Sequence, residues 1–235
     1  MIGLDDSGFV AFRGDDDNKS DEAGAGGSDE KAPALLTDTS APWLSYASDR
    51  ISKSGMRAPP LVRLHNEILA FCEFVSPTDV ELRTRDILVR ELTLIVQELW
   101  VDAKLLVFGS QMTKILTPTS DIDIAILNVP YSKDAKDVTE LLIKLADSIR
   151  ENMEVSYIEA IITAKVPIVK LDHKASGLSV DICINNDSGI TTGRLIKKLV
   201  REFPPLRILT IVLKTFLVSY KINNNIIIAK SLLLK

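Results

Sequence analysis

The sequence predicts an α+β fold, with short strands flanked by amphipathic helices. Two patterns predict it. Strand-like stretches carry apolar runs or strict alternation: Leu105 to Phe108 is a continuous apolar run, and Asp121 to Ile126 and Leu178 to Ile184 alternate. Helix-like stretches carry apolar residues every third or fourth position. Leu88, Leu92, Ile95 and Leu99 form one such stripe, and Val138, Leu141, Leu142, Leu145 and Ile149 another. With 235 residues, 46% of them hydrophobic, the chain has material for one sizeable domain or two small ones.

Charge is distributed unevenly. Residues 1–40 hold three basic side chains (Arg13, Lys19, Lys31) and ten acidic ones, a net of −7. The whole chain carries −4, so residues 41–235 are at +3, which permits a nucleic-acid partner without announcing one. Cys72 and Cys183 fit no zinc-ligand spacing, and both are expected to be reduced in an intracellular protein. No leader pattern and no apolar run of membrane-spanning length is present, so a soluble protein with no membrane partner is expected.

Taken in order, residues 1–60 are expected to form a tail. Residues 1–40 are rich in Asp, Gly and Ala and read as disordered, and 41–60 as irregular. Leu61 to Val75 is helical in pattern, with Leu64, Ile68, Leu69 and Cys72 on one face. Ser76-Pro77-Thr78-Asp79 reads as the next helix start, with Ser76 as N-cap and Pro77 in the first position. That helix closes at Trp100 and Asp102, and the strand Leu105 to Phe108 follows. After the alternating strand from Asp121, a helix is expected over Asp137 to Arg150. The stretches Tyr157 to Thr163 and Val166 to Leu171, a turn at 172–177 and the strand Leu178 to Ile184 come next. Residues 185–189 read as a loop and Thr191 to Arg201 as a helix. A longer helix starts at Pro204 or Pro205, with Leu206, Leu209, Leu213, Phe216, Leu217 and Tyr220 along it. The apolar end at 226–235 looks like half of a helix.

The chemistry-bearing stretch runs from Leu105 to Leu127. Gly109 lets a backbone approach a phosphate closely, and the Ser110 hydroxyl can donate to phosphate oxygens. Asp121 and Asp123 share one face of a strand, with Ile122, Ile124 and Ile126 on the other. Two adjacent carboxylates repel unless a cation lies between them, and Mg²⁺ prefers oxygen ligands with room left for substrate phosphates. A lone D-x-D is usually a solvated face and a lone Gly-Ser usually a turn; in this order and spacing they point to metal-assisted nucleotide transfer. Asp181 stands alone in an apolar strand, which is costly without a counter-charge; a third metal ligand is the reason offered. Lys214 among apolar neighbours either snorkels to solvent or reaches the site as a phosphate ligand.

With these residues in hand, the chain resembles the Trf-type noncanonical poly(A) polymerases, the DNA-polymerase-sigma branch of the polymerase-beta-like nucleotidyltransferases. The segments that carry the resemblance are FVSPTDVELRTR, ELW, VFGS, TPTSDIDIAIL, AKVPIVKL, SGLSVDICIN and ILTIVLKTFLVSYKINN, in the family's order between Leu61 and Asn223. The resemblance implies a mixed sheet with flanking helices over 76–190 as the nucleotidyltransferase domain. It also implies part of a helical central domain, formed by 61–75 and 191–235. Asp121 and Asp123 match the two Asp that bind both Mg²⁺ ions (Mn²⁺ being the alternative metal). Asp181 matches the third, which binds one ion and assists deprotonation of the RNA 3′-hydroxyl. Gly109, Ser110, Ser120 and Lys214 match nucleotide-binding positions, with Ser188 and Gly189 at a nucleotide-contacting turn. The implied activity adds AMP from ATP to RNA 3′ ends in nuclear RNA surveillance of the TRAMP kind, nucleolus included, beside a zinc-knuckle RNA-binding protein and an RNA helicase.

The chain departs from the family at three places. It has Thr113-Lys114 where the family often has Thr-Gly, and Ser188 where Asn is common. After Asn223 the family's Thr-Gly-Gly and Ser-Tyr-Ser run is not recognisable. The alternatives are therefore an inactive or truncated scaffold, or a terminal uridylyltransferase.

Overall fold

The computed structural model describes residues 42–44, 59–130 and 135–219. The expectations for the acidic N-terminal stretch, for most of 41–60 and for 220–235 lie outside the described residues.

Helix α1 spans Pro60–Phe74 and begins on proline, whose fixed φ suits a first turn. Helix α2 spans Asp79–Leu99. Its N-cap is Thr78, two residues later than the sequence suggested. Glu81 lies three positions after Thr78, so a capping box forms. The Thr78 hydroxyl accepts from the Glu81 amide at 3.3 Å, and the Glu81 carboxylate accepts from the Thr78 amide at 2.6 Å. Ser76 instead closes α1, its hydroxyl donating to the Cys72 carbonyl at 2.7 Å.

Strand β1 (Lys104–Val107) leads into the short helix α3 (Gly109–Thr113), and β2 covers Ile122–Leu127. Helix α4 (Ala135–Asn152), strands β3 (Val155–Ile161), β4 (Ile168–His173) and β5 (Ser179–Ile184), and helices α5 (Ser188–Glu202) and α6 (Pro204–Ser219) complete the described elements. The five strands form one sheet in the order β1-β2-β5-β4-β3. Only the central β2·β5 pairing is parallel, so the sheet is mixed.

Strand alternation divides this sheet into two faces. Ile122, Ile124, Ile126, Val180, Ile182, Val169 and Leu171 pack under Leu88, Leu92 and Ile95 of α2 and Leu142, Leu145 and Ile149 of α4. Both stripes read from the sequence thus serve the main core. The other face is thinner: Ala125 and Cys183 pack with Ile190 of α5, Phe108 and Met112. It is this second face that carries Asp123 and Asp181.

A third cluster joins α1, α5 and α6 through Cys72, Ile115 and Ile211, with Ile68, Ile196, Ile208 and Val212 around them. Not every apolar position of these helices is buried. Leu209, Leu213 and Phe216 are 56%, 51% and 51% exposed, and Leu64 of α1 is also half exposed. Helix α6 is apolar nearly all round, so periodicity alone does not select the inward side. Contact with α1 and α5 selects Ile208, Ile211 and Val212. Among the described residues no helix is long and apolar enough to cross a membrane.

Candidate active site

The site grows from the chain reversal after β1. Phe108 donates its amide to the Asp123 carbonyl at 2.9 Å, and Gly109 follows at φ +62. A Cβ on Gly109 would lie 1.9 Å from Asp123 Oδ2. Glycine is therefore required twice, for the left-handed backbone and for the space the carboxylate fills. Ser110 sits in the first turn of α3, half-buried. Lys114 ends α3 at φ 64, the left-handed backbone conformation that suits glycine, here held by a lysine. Arg207 Nε donates to the Lys114 carbonyl at 2.9 Å and ties this end to α6.

Asp121 immediately precedes β2 and Asp123 lies within it; both are half-buried, while Ile122 and Ile124 are fully buried on the opposite face. Asp123 is the register partner of Asp181 on β5, and Asp181 in turn of Lys170 on β4. Neighbouring strands run about 4.8 Å apart, which sets the two carboxylates side by side. Lys170 Nζ lies 3.4 Å from Asp181 Oδ1. Lys170 also lines a cleft of about 170 Å³ with Ser120, Asp121 and Ser179.

Ser120 is 3% exposed and is the hub of a small network. Lys214 Nζ donates to its hydroxyl at 2.6 Å, the Thr117 amide donates to the same oxygen at 3.0 Å, and the Thr117 hydroxyl lies 2.9 Å away. Its carbonyl accepts from Arg85 Nη2 at 2.6 Å, and Arg85 also reaches the Pro118 carbonyl at 3.1 Å. Arg85 is fully buried, with no hydrogen-bond partner for Nε or Nη1 among the described residues. Burial pulls its pKa below the usual guanidinium value, and the charges of Glu81 and Asp121 oppose that shift. Burial likewise pushes the Cys183 thiol, beneath Asp123, up to about 11.

Of the positions named from sequence, the structure brings Gly109, Asp123 and Asp181 together and joins Ser120 to Lys214. Ser188 and Gly189 are placed differently. They open α5 rather than lying in the preceding loop, and Ser188 turns its hydroxyl onto Asn186 Oδ1 at 2.5 Å. A Cβ on Gly189 would come within 2.4 Å of the Phe108 ring, so its small size answers to packing. Sequence reasoning missed Arg85 and Lys170. The signal for Arg85 was a cation in line with the core stripe, three residues before Leu88 and seven before Leu92.

Among the described residues, no three His, Cys, Asp or Glu side chains converge closely enough to enclose a metal ion. The three carboxylates nevertheless fit Mg²⁺ in donor chemistry, being oxygen-only, and two of them, Asp123 and Asp181, are register partners.

Comparison with known proteins places this geometry. Residues 64–201 match the family model described as poly(A) RNA polymerase, mitochondrial-like, central palm domain. Poly(A) RNA polymerase protein 1 of Eremothecium gossypii is 29% identical over 224 residues, covering 95% of this chain and 34% of that protein. Poly(A) RNA polymerase cid14 of Schizosaccharomyces pombe is 30% identical over 213 residues, covering 89% and 30%. The chain thus spans about a third of the length of these relatives. The solved polymerase core of TRAMP, an RNA surveillance complex, superposes with a TM-score of 0.58 at 29% identity, over 66% of this chain and 47% of that one. The mixed sheet and flanking helices expected from the resemblance are borne out. A palm whose two central strands set Asp123 beside Asp181, over a sequence that matches through residues 64–201, makes this chain a member of the mitochondrial-like poly(A) RNA polymerase central palm domain family.

Proposed function

We propose that this chain is the catalytic palm portion of a template-independent RNA nucleotidyltransferase that adds AMP from ATP to RNA 3′ ends. The observation that carries the proposal is the register of Asp123 with Asp181 beside the Gly109 turn. In this reading residues 76–190 form the catalytic unit, and α1, α5 and α6 belong to a helical domain that the rest of a longer protein completes.

Asp121, Asp123 and Asp181 would hold Mg²⁺, with Mn²⁺ as substitute. When bound, the metal lowers the pKa of the attacking 3′-hydroxyl and neutralises charge on the leaving pyrophosphate. The chain's own residues do the positioning. Gly109 leaves room for the triphosphate to approach backbone, and Ser110 donates a hydroxyl to it. Lys214, aligned by Ser120, supplies a positive charge to the phosphates. Asp181 accepts the proton or orients the 3′-hydroxyl. Ser188 and Gly189 act through α5 and its packing on Phe108. The named relatives support RNA as substrate and ATP as donor. The likeness to the TRAMP polymerase core supports a role in RNA surveillance; a nuclear location and a zinc-knuckle protein and a helicase as partners are proposed with it, on the family resemblance of the sequence.

Primer extension tests this. The full chain receives labelled RNA, Mg²⁺ and each NTP separately, beside Asp123→Ala. Extension with ATP that the variant lacks is the expected result. Extension with UTP alone would make it a uridylyltransferase. No extension by folded protein would favour an inactive portion that needs the remainder of a longer chain.

A further inference from the structure

We propose that the flank of α5 bearing Arg194, Lys197, Lys198 and Arg201 binds the phosphodiester backbone of single-stranded RNA. This rests on the reading of RNA as substrate. The four cations stand at positions i, i+3, i+4 and i+7, so the helix gathers onto one flank what in the sequence looks dispersed. All four are exposed.

The arrangement works against the helix itself. Arg194 faces Lys197 and Lys198, and Arg201 faces the same two lysines. Like-charge pairs at this spacing destabilise a helix. Among the described residues the only ion pair on this flank is Lys198 with Glu202, at 3.8 Å. A polyanion supplies the missing counter-charge. The flank is about 10 Å long at 1.5 Å per residue, enough to face more than one phosphate. Its two arginines can grip phosphate oxygens bidentately.

The helix is also docked where such a track is useful. A Cβ on Gly189 would strike the Phe108 ring at 2.4 Å, and one on Gly193 would lie 2.9 Å from Met112 Sδ. Both partners flank the Gly109–Ser110 turn, so the N-terminal half of α5 is docked beside that turn and the cations follow along the same helix. A membrane surface is disfavoured because Ile190, Ile196 and Val200 of α5 are taken up in the protein's own packing, and Leu195, 57% exposed, is left as a lone apolar side chain rather than a stripe.

The test is fluorescence anisotropy of a labelled oligoadenylate with the full chain over a series of salt concentrations. Three proteins are compared: the parent, Lys197→Gln/Arg201→Gln, and the control Lys104→Gln/Lys144→Gln, which removes the same charge elsewhere. Circular dichroism checks that all three are folded. The α5 variant is expected to bind several-fold more weakly, with a log–log salt slope shallower by about 1.4, roughly 0.7 for each lost phosphate contact. The control should keep the parent slope. Equal slopes in parent and α5 variant, equal losses in both variants, or no RNA bound by the parent would overturn the proposal. So would binding to anionic phosphatidylserine vesicles without binding to RNA. Extension activity with unchanged α5 slopes would remove this inference alone. An α5-dependent RNA slope without extension would remove the catalytic reading and leave this one.

Discussion

Gly109 faces Asp123 so closely that a single added methyl would lie 1.9 Å from Oδ2. The hydrogen bond from the Phe108 amide to the Asp123 carbonyl fastens the same two segments through their backbones. Neither side can retreat without breaking the β1·β2 edge. Gly109→Ala is therefore expected to lose stability and to displace the carboxylate. The left-handed backbone alone costs a non-glycine residue about 1–2 kcal/mol. Urea unfolding measures the loss, and unchanged stability would show that the turn rearranges freely.

Lys214 and Ser120 come from positions 94 residues apart and meet at 2.6 Å. If their contact aims the ammonium at phosphate, Lys214→Met raises KM for the nucleotide more than it lowers kcat. Ser120→Ala should do the same to a smaller degree, and the double variant should fall short of the sum, with a coupling of about 0.5–3 kcal/mol. Steady-state kinetics over a nucleotide series checks both points. Strict additivity would separate the two residues.

Arg85 braces the loop that delivers Asp121. Arg85→Met would leave the Pro118 and Ser120 carbonyls without their charged donor. The expected destabilisation is about 2–4 kcal/mol, since hydrogen bonds to charged groups are worth more than neutral ones and orphaned acceptors add a penalty. Arg85→Lys should recover part of it, because one nitrogen, Nη2, makes both contacts. Equal unfolding midpoints for the parent and Arg85→Met would refute the bracing role.

The α2 cap carries a pH dependence. The Thr78 amide and hydroxyl hold the Glu81 carboxyl below the usual carboxylate range. A carboxylate with a depressed folded pKa adds stability above its unfolded pKa, near 4.3, and that stability is lost as pH falls through the lower folded value. Thr78→Ala should cost about 1 kcal/mol at neutral pH. The Tm gap between variant and parent should narrow as pH drops below about 4. A gap constant down to acid pH would place the stabilisation in the hydroxyl alone.

Much of this was legible in the chain. The Leu88–Leu99 and Val138–Ile149 stripes, the alternating strands at 121–126 and 178–184 and the Gly109–Ser110 break are local patterns. Their period, 3.6 or 2, is set by backbone geometry and needs no partner to be read. The Thr78 cap was also present as Thr and Glu three apart, and Ser76 with its proline obscured it.

Other features depended on what lies opposite. The inward side of α6 is chosen by α1 and α5, because nearly every side of that helix is apolar enough to be buried. The sequence by itself determined that Asp121 and Asp123 would stand two residues apart at the start of an alternating strand and that Asp181 would interrupt an apolar one. Only the tertiary structure decided that Asp181 stands beside Asp123, that Lys170 reaches it, and that Arg85 and Lys214 converge on Ser120. These are contacts between strands and helices distant in sequence, and they follow from packing the whole sheet between its helices rather than from any local preference.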